Sequence, residues 1–182
     1  MRKLRDYTVR QPGELVQLDT LVVRPLPGVV LKRFTARDVV SRWDVVRAYR
    51  SASAHTTTAF LDRLLDRTPF PVRAIQVDDG SEFQASFEQA CAERGIRLFV
   101  LPPHSPELNG HVERAQRTHA EGFDDLYRGE LDLNSINAAL GEWERVFNII
   151  RAYQSLDQRT PAEHLRQHVL GLAPPAQLSQ MS

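Results

Sequence analysis

Cysteine, lysine and net charge are all scarce in this chain of 182 residues. Cys91 is the only cysteine, which excludes a disulfide framework and a thiolate zinc site and favours an intracellular, cytoplasmic protein. No apolar run approaches the ~20 residues that span a bilayer. The start over 1–10 is basic but has no apolar segment behind it, so it does not fit a signal peptide. We expect no membrane partner.

The charge balance gives no general sign of a nucleic-acid binder. The 23 Lys and Arg residues equal the 23 Asp and Glu residues in number, whereas nucleic-acid binders often carry a basic excess. Only Lys3 and Lys32 are lysines, and the remaining basic residues are arginines, which bind phosphate with two parallel hydrogen bonds. A codon bias towards arginine explains the composition equally well. The zero net charge still leaves room for a local basic groove.

Runs of β-branched and apolar residues, bounded by proline and glycine, predict five strands. The first run, 14–23, is followed by 29–36 and 43–49 closely enough for an antiparallel meander. Two shorter strands are predicted over 72–77 and 96–101.

Apolar residues three or four positions apart predict four helices. They cover 56–67, 81–94 with Ser81 as N-cap and Gly95 as stop, 112 to near Gly129, and an Asn134 cap to Ile150. The order β-β-β-α-β-α-β-α-α predicts an α/β fold with a five-stranded mixed sheet flanked by helices.

Three acidic residues stand at positions where a structural role is a poor explanation and a catalytic or metal-binding role is a candidate. Asp19 interrupts an apolar strand, Asp78 ends the fourth strand, and Glu113 opens a helix. A carboxylate buried without a partner costs several kcal/mol, which a metal ion would offset. Hard cations such as Mg²⁺ prefer carboxylate oxygens, and two ions about 3.5–4 Å apart can stabilise both oxygens of a phosphoryl displacement.

Each of these acids also has a structural interpretation. Asp19 fits a salt-bridged strand residue, Asp78 fits a turn before Asp79 and Gly80, and Glu113 fits a side chain that complements the helix dipole. Their joint order along the chain favours the chemical interpretation.

The chain resembles the catalytic cores of retroviral-type integrases and bacterial insertion-sequence transposases, the DDE recombinases with a ribonuclease-H-like fold. The 34 residues between Asp78 and Glu113 match the spacing that such transposases use. The similar segments are 18–20 (LDT), 77–83 (VDDGSEF), 105–114 (SPELNGHVER), 147–156 (FNIIRAYQSL) and 160–163 (TPAE).

This resemblance implies a catalytic and metal-binding triad of Asp19, Asp78 and Glu113. It implies two Mg²⁺ ions, with Mn²⁺ as a substitute, and two steps: nicking of a DNA end and transfer of the freed 3′-hydroxyl into target DNA. The partners it implies are double-stranded DNA, at element ends and target, and further copies of the chain. The protein would associate with the bacterial nucleoid when it acts.

The chain departs from the family pattern at four positions. Asp79 stands where the family usually has Asn, so the metal ligand is assigned to Asp78 by register alone. Ala152 and Tyr153 replace a Pro-His pair, and Phe147 replaces Tyr. These changes bear on substrate contacts more than on the triad.

Four polar residues around Glu113 are candidates for DNA contact. Asn109 and His111 precede it, and Arg114 and Arg117 follow it on the same predicted helix. Arginine is suited to phosphate contact, although a solvated helix face explains both arginines nearly as well.

Two other functions stay open at this stage. One is a catalytically silent DNA-tethering or assembly module of the same fold, and the other is a stand-alone ribonuclease-H-like nuclease. We expect an N-terminal extension over 1–12, an integrase-type core over 13–170 and a disordered tail over 171–182. Since no helix-turn-helix or Cys/His zinc signature precedes Asp19, we also expect either that a sequence-reading domain lies upstream in a longer protein or that the gene is truncated.

Overall fold

The computed structural model describes residues 8–26, 28–102 and 110–170, and the sheet within them has five strands. The first three form an antiparallel meander, and the last two run parallel to the first. The strand order is β3-β2-β1-β4-β5, which confirms the predicted mixed sheet. The strands are β1 (Val16–Leu26), β2 (Val29–Asp38), β3 (Asp44–Tyr49), β4 (Ala74–Val77) and β5 (Arg97–Val100).

Helices cover both faces of this sheet, as the element order predicts. Two helices pack on one face against a large apolar core, and two pack on the other. A fifth helix, absent from the predicted order, contacts α4. The helices are α1 (Ala54–Arg67), α2 (Ser86–Glu93), α3 (Gly110–His119), α4 (Leu133–Ile149) and α5 (Pro161–Leu170). No helix among the described residues is long and apolar enough to cross a membrane.

The two faces of the sheet differ in chemistry because strand side chains alternate. On the α1 and α2 face, Leu18 and Phe34 are fully buried among aliphatic and aromatic side chains. The face under α3 and α4 carries charged residues at its centre. There, the buried Arg37 donates two hydrogen bonds of 2.7 Å to Asp44, and Arg33 pairs with Asp124 at 2.6 Å.

The predicted helix over 81–94 is wrong in its first third. Residues Ser81–Phe83 form a single 3-10 turn, Ala85 has a φ of 32°, and α2 begins only at Ser86. The Phe83 ring packs against both Phe34 and Phe87, so tertiary packing overrides the local helical pattern. The predicted stop at Gly95 is confirmed by its φ of 68°.

The predicted Asn134 cap is also wrong, by two residues. Asp132 is the N-cap of α4, and its side chain accepts hydrogen bonds from the N–H groups of Asn134 and Ser135. A helix that begins at Leu133 packs this residue against the cluster around Leu140, which an Asn134 cap would leave outside the helix.

The long helix predicted to run to Gly129 changes form before it ends. α3 stops at His119 and widens to a π-helical turn over Ala120–Asp124. This turn brings Gly122 so close to the Trp143 ring that an added Cβ would lie 2.5 Å from it.

Candidate active site

Two of the three predicted acids lie on neighbouring parallel strands. Strand β1 pairs with β4 through Val16 with Ile75 and Gln17 with Gln76. The same register, continued by two residues, sets Asp19 beside Asp78. Asp19 is half-buried, whereas Asp78, the first residue after β4, is exposed.

Gln17 holds the helix that carries the third acid. Its Oε1 accepts hydrogen bonds from the backbone N–H groups of His111 and Val112, at 3.0 and 3.1 Å, in the first turn of α3. Gln17 and Asp19 share one face of β1, since strand side chains repeat every two residues. This contact docks the start of α3 on the face of β1 that carries Asp19 and leaves Glu113 exposed in the first turn.

Gln116 links α3 directly to Asp19. Its Nε2 donates a hydrogen bond of 3.0 Å to Asp19 Oδ2, while the Thr20 backbone N–H donates one of 2.7 Å to Oδ1. The sequence analysis missed Gln116, although its signal was present. It shares the buried stripe of α3 with Val112 and His119, and a polar residue in such a stripe needs a partner.

The three acids act on one another electrostatically. Burial raises the pKa of Asp19, and the carboxylates of Asp78 and Glu113 raise it further, against the two hydrogen bonds that lower it. Partial desolvation by the surrounding atoms likewise raises the pKa of Asp78, although its side chain is exposed at the surface; the hydrogen bond from the Gly80 N–H opposes this rise, and Glu82 and Asp79 add to it. Negative charge is therefore concentrated around Asp19 on β1 and the C-terminal end of β4.

Gly80 is required here for close approach and not for an unusual backbone angle. Its φ is −65°, which any residue adopts. A Cβ added to Gly80 would lie 2.9 Å from both Asp78 Oδ1 and Glu82 Oε2. The missing side chain thus leaves room for two carboxylates around the Asp78 loop.

The donor chemistry of the triad fits a hard divalent cation. All three groups are carboxylates, and a bound cation would offset both the burial and the repulsion from Asp78 and Glu113 that raise the pKa of Asp19. Within 8–26, 28–102 and 110–170, however, no three His, Cys, Asp or Glu side chains form a group that could hold a metal ion. The structure thus places the three acids within electrostatic range without gathering them into a closed site.

The four candidate DNA contacts separate in the structure. Asn109 lies outside the described residues. Arg117 is exposed one turn after Glu113 and shares its flank of α3, since residues four apart lie on one side of a helix. His111 and Arg114 instead line a cleft of about 630 Å³ beside the other flank.

Three of the family-like positions near the end of the chain have structural roles. Asn148 bonds to both backbone groups of Asp44, at 2.8 and 2.7 Å, and so fixes α4 to the end of β3. The Phe147 ring is buried against Arg37 and Tyr153. Tyr153, which replaces the family His, lines the cleft that contains Arg114.

Segment 160–163 is a helix N-terminus. The Thr160 hydroxyl accepts from the Glu163 N–H at 3.1 Å, and the Glu163 carboxylate accepts from the Thr160 N–H at 2.9 Å. This reciprocal pair is a capping box, and Pro161 occupies the first helical position, where its missing N–H costs nothing. The Thr-Pro-x-Glu pattern therefore begins α5.

Solved structures with the same fold include a chain of an intasome and the catalytic core domain of an integrase. A chain in the structure of a simian T-cell lymphotropic virus intasome, in complex with PP2A regulatory subunit B56 gamma, is 18% identical with a TM-score of 0.74. The match covers 100% of the present chain, which spans 66% of the length of that chain. The catalytic core domain of BIV integrase is 21% identical with a TM-score of 0.66, over 87% of the present chain and 98% of its own.

Sequence comparison gives the family. No curated protein sequence matches the chain significantly. One family profile described as "Integrase core domain" matches residues 9–106, and a second with the same description matches 94–161. The first covers more than half of the chain and includes Asp19 and Asp78. This chain therefore belongs to the integrase core domain family.

Proposed function

We propose that this chain is the catalytic core of a DNA transposase or integrase that carries out metal-dependent phosphoryl transfer. The observation that carries the proposal is the arrangement of Asp19, Asp78 and Glu113. Two come from adjacent parallel strands in one register, and the third comes from a helix that Gln17 docks onto the same strand. Family membership supports it.

Asp19, Asp78 and Glu113 would hold the metal, which we propose to be Mg²⁺, with two ions bound and Mn²⁺ as a substitute. Such ions lower the pKa of an attacking water and stabilise the charge on the leaving oxygen. The protein itself positions the carboxylates that would hold these ions. Gln116 orients the Asp19 carboxylate through its 3.0 Å hydrogen bond, and the Gly80 N–H orients Asp78.

The substrate we propose is double-stranded DNA, first at the ends of an element and then at a target. In the first reaction, a water attacks the phosphorus and the 3′-oxygen leaves with a proton. In the second, the freed 3′-hydroxyl attacks a target phosphodiester, so one phosphodiester bond forms as another breaks. Paired ends require more than one active site, and we propose that the chain works as a homo-oligomer.

An assay of end nicking and strand transfer with Mg²⁺ or Mn²⁺ tests this proposal. We expect Asp78→Asn and Glu113→Gln each to reduce both reactions at least about 100-fold, because each removes a carboxylate that would hold the metal. Asp66→Asn, an exposed carboxylate on α1, is the matched control and should behave as the wild type.

Three outcomes would redirect the proposal. Unchanged activity of Asp78→Asn would exclude the triad. A wild-type protein that binds DNA but joins no strands would support the tethering module instead. Preferential cleavage of the RNA strand of an RNA–DNA hybrid would support the stand-alone nuclease.

A further inference from the structure

Among the residues that the structure describes, the cleft beside α3 is lined by hydrogen-bond donors and by no carboxylate. Its basic residues are Arg37, Arg42, His111 and Arg114, and Ser155 adds a hydroxyl. Thr118, Gln154 and Tyr153 complete most of the wall. Such a lining matches an anion with several oxygen acceptors.

The turn between β2 and β3 holds Arg42 in this cleft. The buried Asp38 carboxylate accepts hydrogen bonds from the N–H groups of Gly13, Val40 and Ser41 and from the Ser41 hydroxyl. At the end of this turn, Arg42 takes a φ of 63°, which is uncommon for a residue with a side chain. Its guanidinium donates to the Val39 carbonyl at 2.6 Å and to His111 Nδ1.

The cations of the cleft are only partly neutralised. Arg37 is paired with Asp44. Within the described part of the chain, neither Arg42 nor Arg114 forms an ion pair with a carboxylate. Burial lowers the pKa of Arg42; the charges of Arg37 and Arg114 add to the effect, and those of Asp38 and Asp44 oppose it.

The cleft is separate from the carboxylates of the candidate active site. His111, Arg114 and Thr118 follow one another at helical spacing along one flank of α3. Glu113 lies on the other flank, and Gln116 lies between the two, on the buried stripe. Because α3 lies between them, an anion in the cleft would be separated from the negative charges of Asp19, Asp78 and Glu113, which would otherwise repel it.

We propose that this cleft binds a phosphodiester group of a nucleic-acid backbone, held by Arg42 and Arg114, on the flank of α3 away from the triad. The proposal rests on the proposed function for the identity of the ligand. The open cleft of about 630 Å³ suits a passing strand, and arginine binds phosphate oxygens two at a time. Such a contact carries no sequence information and positions the duplex.

Fluorescence anisotropy with a labelled duplex of about 20 base pairs, in EDTA and over a range of salt concentrations, tests the site. Because each phosphate contact contributes about 0.9 to the slope of log K against log salt, Arg114→Gln should lower that slope by about 1 and weaken binding at least about threefold at low salt. Arg42→Gln should have a similar effect. Arg114 is exposed, so its variant keeps the test valid if Arg42→Gln folds poorly.

The matched control removes the same charge from the far edge of the sheet. Arg97→Gln, at an exposed position on β5, should leave the slope unchanged. If the arginines of the cleft behave as Arg97 does, the proposed site is wrong. A second result would also overturn the duplex contact. If millimolar inorganic phosphate competes with the labelled duplex, and the slope of log K against log salt is the same in the cleft variants and the wild type, the cleft binds a free anion.

The binding test and the strand-transfer assay decide the two proposals independently. A lower slope of log K against log salt in Arg114→Gln, together with no strand transfer by the wild type, would retain the phosphate site in the cleft and reject the proposed function. Strand transfer by the wild type with an unchanged slope in the cleft variants would do the reverse.

Discussion

At the residue scale, the candidate site depends on small side-chain features that support its carboxylates. Gln17 and Gln116 fix α3 to β1 and orient Asp19, and neither carries a charge. Gly80 leaves the space into which the Asp78 and Glu82 carboxylates extend. Substitutions at these supporting residues should therefore shift the acidic side chains without replacing them.

Gly80→Ala should reduce strand transfer about tenfold without unfolding the protein. The new Cβ would displace Asp78 from its hydrogen bond with the residue-80 N–H, but it meets only the ends of flexible side chains. Single-turnover rates and the thermal midpoint check this. Gly141→Ala, where an added Cβ has no neighbour within 4 Å, is the control for the rate and should react as the wild type does. A wild-type rate in Gly80→Ala would show that the Asp78 position tolerates the shift.

His119 should make folding stability sensitive to mild acid. The Trp143 indole N–H donates to His119 Nδ1, so the neutral ring carries its proton on Nε2, 3.3 Å from Asp44. Burial lowers the pKa of this histidine below its usual 6.5. Because the pKa of this histidine is lower in the folded protein than in the unfolded chain, its contribution to stability is fully present above the pKa of the unfolded chain. That contribution is lost as the pH falls towards the pKa of the folded protein.

Replacing His119 by Leu should therefore flatten the pH dependence. If His119 stays neutral in the folded protein, its contribution falls by at most about 1.4 kcal/mol between about pH 7.5 and about pH 5.5. Urea unfolding of both proteins at the two pH values measures the difference. His55→Gln, at an exposed position, should keep the wild-type dependence. An equal pH dependence in His119→Leu would mean that this histidine is not the titrating group.

At the element scale, caps and turns decide where the helices begin. Thr160 and Glu163 form the capping box of α5, and Ser53 with Thr56 forms that of α1. The sequence predicts α1 over 56–67, within two residues of its observed start. It misses the break before α2 because the contacts of the Phe83 ring with Phe34 and Phe87 are tertiary and leave no local pattern.

Gly141→Ala should stabilise the protein by about 0.5–1 kcal/mol. Gly141 lies in the interior of α4, where glycine costs conformational entropy and an added methyl group meets nothing. Thermal unfolding should show a rise of about 1–3 °C in the midpoint. Gly95→Ala serves as the opposite case, since its φ of 68° strains any side chain and should lower the midpoint. A destabilised Gly141→Ala would indicate a contact with another copy of the chain.

At the scale of the whole molecule, the order of the five strands and the first four helices was accessible from sequence because it depends on local patterns, whereas the triad stays a prediction. Strand periodicity predicts the five strands, and the turn and helix motifs name Asp19, Asp78 and Glu113. Which flank of α3 faces which neighbour is not a local property. Arg114 and Arg117 look equivalent in sequence, yet only Arg114 lines the cleft with Arg42, a residue 72 positions earlier.

The zero net charge takes on a different meaning in three dimensions. Acidic groups gather around Asp19 and the C-terminal end of β4, where Asp78 and Glu113 repel Asp19. Cationic groups gather across α3, around Arg42 and Arg114. The zero net charge of the chain thus conceals two local fields of opposite sign, and a divalent cation at the first would leave this face more positive towards DNA.

The most direct test of this account is the position of Mn²⁺ in crystals of the wild-type protein soaked with that ion. The account predicts anomalous density between the carboxylates of Asp19, Asp78 and Glu113, and its loss in crystals of Asp78→Asn. Density confined to other carboxylates, or density at the triad that persists in Asp78→Asn, would contradict the assignment of these three residues as the metal centre.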